Sequence, residues 1–309
     1  MKKHPILAII ALLGLSLSTV ACSSAKTNAK PQKRRTVKVT KTAKQVQTIS
    51  YQTEYQGKSY TKKAQVYLPQ NYDKNKKHNI VYLVHGSTEV KNGQSTLMSD
   101  GSFVKLLNNL NEKGMLKNTI VVFPTYYPSS KFVKSDYYSD RPLNHNFAKN
   151  EFIKDLVPTV EGKYRTYAKG TSKAALKASR NHRAFGGFSM GSITTWYAFQ
   201  YDLDYVADFL PMAGDAWNIT SDGGASEPVR TAEILEDAVS KANNPKFKIL
   251  AGVGSADGTG ASMDPQIRAM HNLNTFNSKN LQYYKQPAGG HDPVTIARIF
   301  RHYAGKLFK

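Results

Sequence analysis

The stretch Gly186-Gly187-Phe188-Ser189-Met190-Gly191-Ser192 constrains this chain more than any other. Gly187, Ser189 and Gly191 have the G-x-S-x-G spacing of a nucleophile elbow. Ala184, Phe185 and Phe188 read as a short buried strand before the serine, and Ile193, Trp196, Tyr197 and Phe199 as an apolar helical face after it. A strand-to-helix turn this sharp presses the positions two before and two after the serine against neighbouring backbone, so only very small side chains fit. The serine hydroxyl is left projecting from the top of the sheet, and the helix that follows aims backbone N–H groups at the same point. Ser189 is thus a candidate nucleophile and the Met190 N–H a candidate oxyanion donor. The same spacing also occurs by chance, so the rest of the chain must supply a base, an acid and a second donor.

The pattern along the chain is that of a layered α/β domain. Gln47 to Tyr55 and Tyr60 to Leu68 alternate apolar and polar residues around Gln56-Gly57-Lys58-Ser59, a hairpin signal. Apolar runs predict strands at Asn79–Val84, Thr119–Phe123, Val206–Met212, Phe247–Val253 and Leu281–Lys285. Helical periodicity predicts one helix through Phe103 and Leu110, capped by Asp100 or Ser99 and ended by Gly114, and another through Phe152 and Val160 despite Pro158. Further helices are expected at Val229–Lys241, Pro265–Phe276 and Val294–Leu307. Thr125 to Asn146 reads as a long loop, functional or partly disordered, and Thr171 to Arg180 as a basic surface insertion. Strands alternating with helices imply an α/β fold, with a mostly parallel central sheet, an antiparallel N-terminal edge hairpin and helices on both faces.

In such sheets chemistry gathers beyond the carboxyl ends of the strands, and the partners of an elbow serine follow in the order acid, then histidine. His291, in Ala288-Gly289-Gly290-His291-Asp292-Pro293, follows the last strand and is the candidate base. His271 and His302 fall within predicted helices and read as structural. Two acids follow strands: Asp257, after Val253-Gly254-Ser255-Ala256, and Asp215, after Met212-Ala213-Gly214. Asp257 is favoured because the strand before the histidine strand usually supplies the acid; Asp264 reads as a helix N-cap. The second oxyanion donor should come from the loop after Val84-His85-Gly86, as the N–H of Ser87 or, alternatively, of Thr88, with His85 a structural support. Trp217, Asp215, Tyr126 and Tyr127 are candidates for lining a substrate pocket. None of this chemistry calls for a metal or cofactor.

The first 46 of the 309 residues differ in kind. Lys2 and Lys3 precede an apolar run from Ile6 to Val20 and then Ala21-Cys22, so residues 1–21 read as a signal peptide. Cys22 is the only cysteine, which rules out an intramolecular disulfide. Thr19-Val20-Ala21-Cys22 resembles a lipobox, making Cys22 a lipidation candidate, with plain secretion the alternative. Residues 22–46 carry eight basic residues and no acid, and their polar composition predicts a disordered tether. The formal net charge of the chain is +21; the two signal lysines and the eight tether cations account for nearly half. Without aromatic interleaving, and behind an export signal, this charge argues for attraction to an anionic membrane or wall rather than nucleic acid. Residues 47–309 are expected to form one domain, located outside the cell; nothing in the sequence fixes an oligomeric state.

Taken together, His182-Arg183-Ala184-Phe185-Gly186-Gly187-Phe188-Ser189-Met190-Gly191, Leu83-Val84-His85-Gly86, Val253-Gly254-Ser255-Ala256-Asp257 and Gly289-Gly290-His291-Asp292 resemble the feruloyl esterase and esterase D-type group of α/β-hydrolases. The resemblance runs from about Val66 to Phe308. Leu210-Pro211-Met212-Ala213-Gly214-Asp215-Ala216-Trp217 and Glu161-Gly162-Lys163-Tyr164-Arg165-Thr166 resemble segments of clostridial xylanase-linked feruloyl esterase domains. The resemblance implies an α/β-hydrolase fold and a serine carboxylic-ester hydrolase working through an acyl-enzyme on feruloyl-type or other small acyl esters of saccharides. An acyltransferase to a wall sugar and a non-catalytic surface-binding lipoprotein are the alternatives. Where the family often has a glycine-rich loop after His-Gly, this chain has Ser87-Thr88-Glu89.

Overall fold

The computed structural model describes residues 45–309 except Asn218 and Asp222. The expected signal peptide, Cys22 and all but the last two residues of the expected tether lie outside the described residues. Those last two belong to the domain: Val46 opens the first strand, and Gln45 is buried with its amide nitrogen donating to Asn108 Oδ1 at 3.2 Å.

Alternation builds the N-terminal edge. Strands β1 (Val46–Tyr55) and β2 (Lys58–Tyr67) pair antiparallel from Val46↔Tyr67 to Tyr55↔Lys58. Ile49, Tyr51 and Tyr55 on β1 and Ala64 and Val66 on β2 face inward, as a period of two requires. The turn is two residues, not the four read from the sequence, because Gln56 and Gly57 both take positive φ (50° and 70°), which suits the right-handed twist of the strands.

Six further strands complete the sheet: β3 (Asn79–Val84), β4 (Thr119–Phe123), β5 (Arg183–Phe188), β6 (Asp208–Met212), β7 (Lys248–Gly254) and β8 (Leu281–Gln286). Their order is β1-β2-β4-β3-β5-β6-β7-β8, with β2 antiparallel to its neighbours and β4 through β8 parallel. The interior strands are buried along almost their whole length because helices cover both faces. The helices are α1 (Ser102–Glu112), α2 (Arg141–Asn146), α3 (Val157–Lys163), α4 (Lys173–Ala178), α5 (Met190–Asp202), α6 (Gly223–Ser226), α7 (Pro228–Lys241), α8 (Gly260–His271) and α9 (Pro293–Ala304). Phe103 of α1 packs on Phe300 of α9 and Phe123 of β4, both with ring centroids 5.6 Å apart.

Three departures from the sequence reading have physical causes. The long loop after β4 ends early, at α2, because Pro142 sits in the first helical turn, where no N–H is needed. Between α2 and α3 the chain continues as a π-helix, Phe147–Leu156, with Val157 N–H donating to Phe152 O. That change of hydrogen-bond register lets Pro158 sit inside a continuous helical run. Helix α8 starts five residues before the expected Pro265, because the turn at Asp257–Thr259 already nucleates it: Gly260 N–H donates to Asp257 O at 3.0 Å. Asp264 is therefore inside the helix and not its N-cap; its carboxylate takes Tyr283 OH (2.8 Å) and Lys285 Nζ (2.6 Å).

The strand that carries the serine is anchored at its base by Arg183. This side chain is 1% exposed and forms a two-pronged pair with Glu161 at 2.6 and 2.9 Å. It also donates to Leu176 O, Tyr205 O and Ser179 Oγ. Removing one partner of such a pair strands a buried charge. Arg183→Met is expected to cost about 3–5 kcal/mol of unfolding free energy in urea denaturation. A loss below about 1 kcal/mol would show that the pair does not hold β5 in place.

Candidate active site

At the end of β5 the backbone turns at Ser189, which adopts φ 54°, ψ −115°. For a residue with a side chain this is strained, and the surroundings hold it there. Ser189 N–H donates to Met212 O at 3.0 Å, and Ser192 N–H to Ser189 O at 2.8 Å. The flanking glycines are required by contact: a Cβ on Gly187 would lie 2.4 Å from Gly191 backbone, and one on Gly191 would lie 2.3 Å from Val84 O. Helix α5 starts at Met190, so its first N–H groups face the serine.

His291 and Asp257 reach the serine from two loops that are tied together. Ser255 N–H donates to Gln286 O and Ala256 N–H to Gly289 O, both at 2.9 Å. Gly254 lacks a Cβ that would otherwise stand 2.1 Å from Gly289 O. The result is a continuous chain of hydrogen bonds. Ser189 Oγ lies 3.0 Å from His291 Nε2, and His291 Nδ1 lies 2.9 and 3.1 Å from the two Asp257 oxygens. With Nδ1–H donating to the carboxylate, Nε2 is left to accept the serine proton. The His291 side chain is 39% exposed, whereas that of Asp257 is fully buried. Burial pushes the Asp257 carboxyl up, but the hydrogen bonds from His291 and from the hydroxyl and N–H of Thr259 outweigh it, and the net effect is downward. Asp215, the other candidate acid, accepts Gly224 N–H at 2.7 Å, and it is Asp257 that the His291 Nδ1 engages.

The loop after β3 carries both candidates for the second donor, Ser87 and Thr88. Gly86 N–H is taken by Glu89 Oε2 (2.8 Å) and Thr88 N–H by Tyr127 OH (3.0 Å). Thr88 N–H is thereby engaged elsewhere, whereas Ser87 and Met190 both border the cavity at Ser189. His85 is buried behind this loop, bonded to Gly86 O at 2.6 Å and Thr125 Oγ1 at 2.8 Å.

The cavity itself has a volume of about 560 Å³ and is walled by Tyr137, Tyr138, Ile193, Asp215, Trp217 and Ser262 around Ser189 and His291. Trp217 meets Tyr137 and Tyr138 edge-on, with centroids at 6.0 and 5.4 Å, and the Arg141 guanidinium lies 5.5 Å from its ring. Tyr126, expected in this wall, is not there. It is 1% exposed, stacked on His85 at 4.9 Å and bonded to Asp140, because the chain after β4 dives under the oxyanion loop. Tyr127 is buried in the same way. A larger cavity, about 700 Å³, lies around Asp208 and Lys248 at the amino ends of the strands, remote from this chemistry.

The Esterase family model matches residues 56–294. The chain belongs to the Esterase family. This esterase is 36% identical over 245 residues to endo-1,4-beta-xylanase Y of Acetivibrio thermocellus, a match covering 77% of the chain but 21% of that protein; the chain spans about a fifth of that relative's length. It is also similar to a solved structure of the feruloyl esterase module from Clostridium thermocellum complexed with sinapinate: 31% identity, TM-score 0.69, covering 85% of this chain and 88% of that one. The S-formylglutathione hydrolase of Staphylococcus aureus, 15% identical with TM-score 0.57 over 85% of this chain and 97% of that one, shares the fold. The described domain is a serine esterase of the α/β-hydrolase fold.

Sequence reasoning missed Tyr137, Tyr138 and Asp140 in this esterase, all within the segment read as a loop. Their only signal was its length, with Asp140-Arg141-Pro142 marking a helix start. His85 carries a testable consequence. Burial, opposed by its bond to Gly86 and aided by Lys62, lowers its pKa from 6.5 to about 4. The unfolded imidazole gains its proton first as pH falls, so this contribution to stability is complete above pH 6.5 and is lost on descending to pH 4. Its size is on the order of 3 kcal/mol. Urea unfolding between pH 7 and 4 is expected to show a shallower loss of stability in His85→Gln than in the parent, and parallel curves would refute it.

Proposed function

We propose that this esterase cleaves carboxylic esters through an acyl-enzyme on Ser189, with aryl or other small acyl groups as the acid part and a saccharide as the alcohol. The Ser189–His291–Asp257 hydrogen-bond chain is the observation that carries this reading. Ser189 Oγ attacks the ester carbonyl while His291 Nε2 takes its proton. The oxyanion is held by the N–H groups of Met190 and Ser87. Collapse expels the alkoxide, which receives the proton from His291; water then repeats the sequence and frees the acid. Asp257 orients the imidazole and stabilises it when charged.

The acyl preference is supported by the wall of Tyr137, Tyr138, Trp217 and Ile193, apolar surface that suits a flat ring or a short chain. Asp215 adds one polar group, whose carboxyl burial raises to about 6 against the bond from Gly224. The similarity to a feruloyl esterase module supports an aromatic acid in particular. In the same reading, Cys22 is a lipid anchor and the basic tether holds the enzyme near an anionic cell surface.

A panel of p-nitrophenyl acetate, p-nitrophenyl butyrate, methyl ferulate and methyl p-coumarate tests this directly. Methyl ferulate or p-coumarate is expected to be turned over well above acetate, and Ser189→Ala to be inactive with an unchanged fold. Full activity of Ser189→Ala would overturn the mechanism, and reaction with short acyl esters alone would overturn the acyl preference.

The two acids should separate in kcat. Asp257→Asn is expected to cost about 10³- to 10⁴-fold on every ester, and Asp215→Asn far less on acetate. The reverse ranking in steady-state kinetics would reassign the acid.

A further inference from the structure

Asp140 is a buried carboxylate beside the site that the chemistry above does not use. It is fully buried. One oxygen, Oδ2, accepts three hydroxyls: Ser87 Oγ at 2.6 Å, Tyr127 OH at 2.9 Å and Tyr126 OH at 3.0 Å. The other, Oδ1, is buried without a hydrogen-bond partner. Burying a carboxylate with half its acceptors unused is costly, and apolar residues would fill the same space more favourably. A purely structural origin for this group is therefore a poor account of it.

What the carboxylate holds is informative. Ser87 is the residue of this loop that borders the cavity, and its hydroxyl is pinned by Asp140. Thr88, the next residue, takes a positive φ of 61° and donates its N–H to Tyr127 OH, which itself donates to Asp140. On the other side Gly86 N–H is fixed by Glu89. Three hydrogen-bonded ties thus converge on the peptide that offers the Ser87 N–H. In a loop without a run of glycines, such ties set where that N–H points. Asp140 also closes the turn Tyr137–Asp140, whose tyrosines meet Trp217 in the cavity wall.

We propose that Asp140 is a positioning residue that holds the Ser87 N–H in the oxyanion hole through the Ser87 hydroxyl and Tyr127. It touches no substrate atom. Its effect is realised when charge develops on the carbonyl oxygen, so it lowers the barrier more than it tightens substrate binding. The proposal rests on the ester-cleaving reading of the site.

The test compares the full chain with Asp140→Asn, Ser87→Ala and the double variant. The readouts are kcat and KM on p-nitrophenyl acetate and methyl ferulate, and the affinity of phenylboronic acid, which forms a tetrahedral adduct on Ser189. Each single variant is expected to lose about tenfold or more in kcat on both esters, with KM changed less than about threefold. Boronate affinity should fall in step, and the double variant should be no worse than the poorer single one. Additive losses, a change in KM alone, a loss confined to the aryl ester, or unimpaired kcat would each overturn the proposal. If Asp140→Asn does not fold, Ser87→Ala decides: full kcat and full boronate affinity would refute it. Boronate titration does not depend on which ester is preferred, so a wrong substrate assignment leaves this comparison intact.

Discussion

The contact on which the site depends is backbone against backbone at the elbow. Gly187 lies on Gly191, Gly191 on Val84 O, and Gly186 on Leu210, whose Cβ would stand 2.8 Å from an added Cβ. These approaches join β3, β5, β6 and α5 around the elbow, each against main chain or a Cβ that cannot yield. The strain at Ser189 is sustained because those four elements are themselves held by the core, down to Arg183 at the foot of β5. The same device recurs across the cleft, where Gly254 meets Gly289 and sets the Asp257 loop against the His291 loop. Nucleophile, base and acid thus rest on close-packed main chain, which explains how three residues far apart in sequence come within hydrogen-bond distance.

Electrostatics then gives neighbouring carboxyl groups different characters. All three aspartates around the site are buried, and burial alone raises each of them. Asp257 overcomes this because His291 and two Thr259 donors bind the ionised form. Asp215 has the Gly224 N–H to set against burial and stays raised to about 6. Asp140 gathers three hydroxyls on one oxygen and is raised even so. Depth and the number and kind of donors together separate them, Asp257 being, as a whole residue, both the least buried and the one bonded to His291. The scaffold shared with an S-formylglutathione hydrolase shows that this architecture by itself does not choose an acyl group. In this chain Tyr137, Tyr138, Ile193 and Trp217 build the cavity wall.

Much of this was legible in the sequence. The strands Asn79–Val84 and Thr119–Phe123 were readable to the residue, because an interior strand is an uninterrupted apolar run with sharp ends. The elbow was readable because its sterics demand glycine at two set positions. Boundaries failed where a helix was organised by something other than its own periodicity, as at α8, which starts from the turn around Asp257, and at Pro158, which a change to π-helical bonding accommodates.

The amino-acid sequence by itself determined the layered α/β class, the elbow serine and the candidate histidine, because local sterics and the order of elements are written in it. It narrowed the acid to Asp257 or Asp215 and the second donor to Ser87 or Thr88. Only the tertiary structure decided which acid bonds the histidine and which amide of the loop is engaged elsewhere. That depends on the pairing of β7 with β8 and on which amide Tyr127 engages, both contacts between distant residues. It also moved Tyr126 from the cavity wall to a buried support and put Tyr137 and Tyr138 in its place, because the path of a loop is set by what it packs against and not by its own composition.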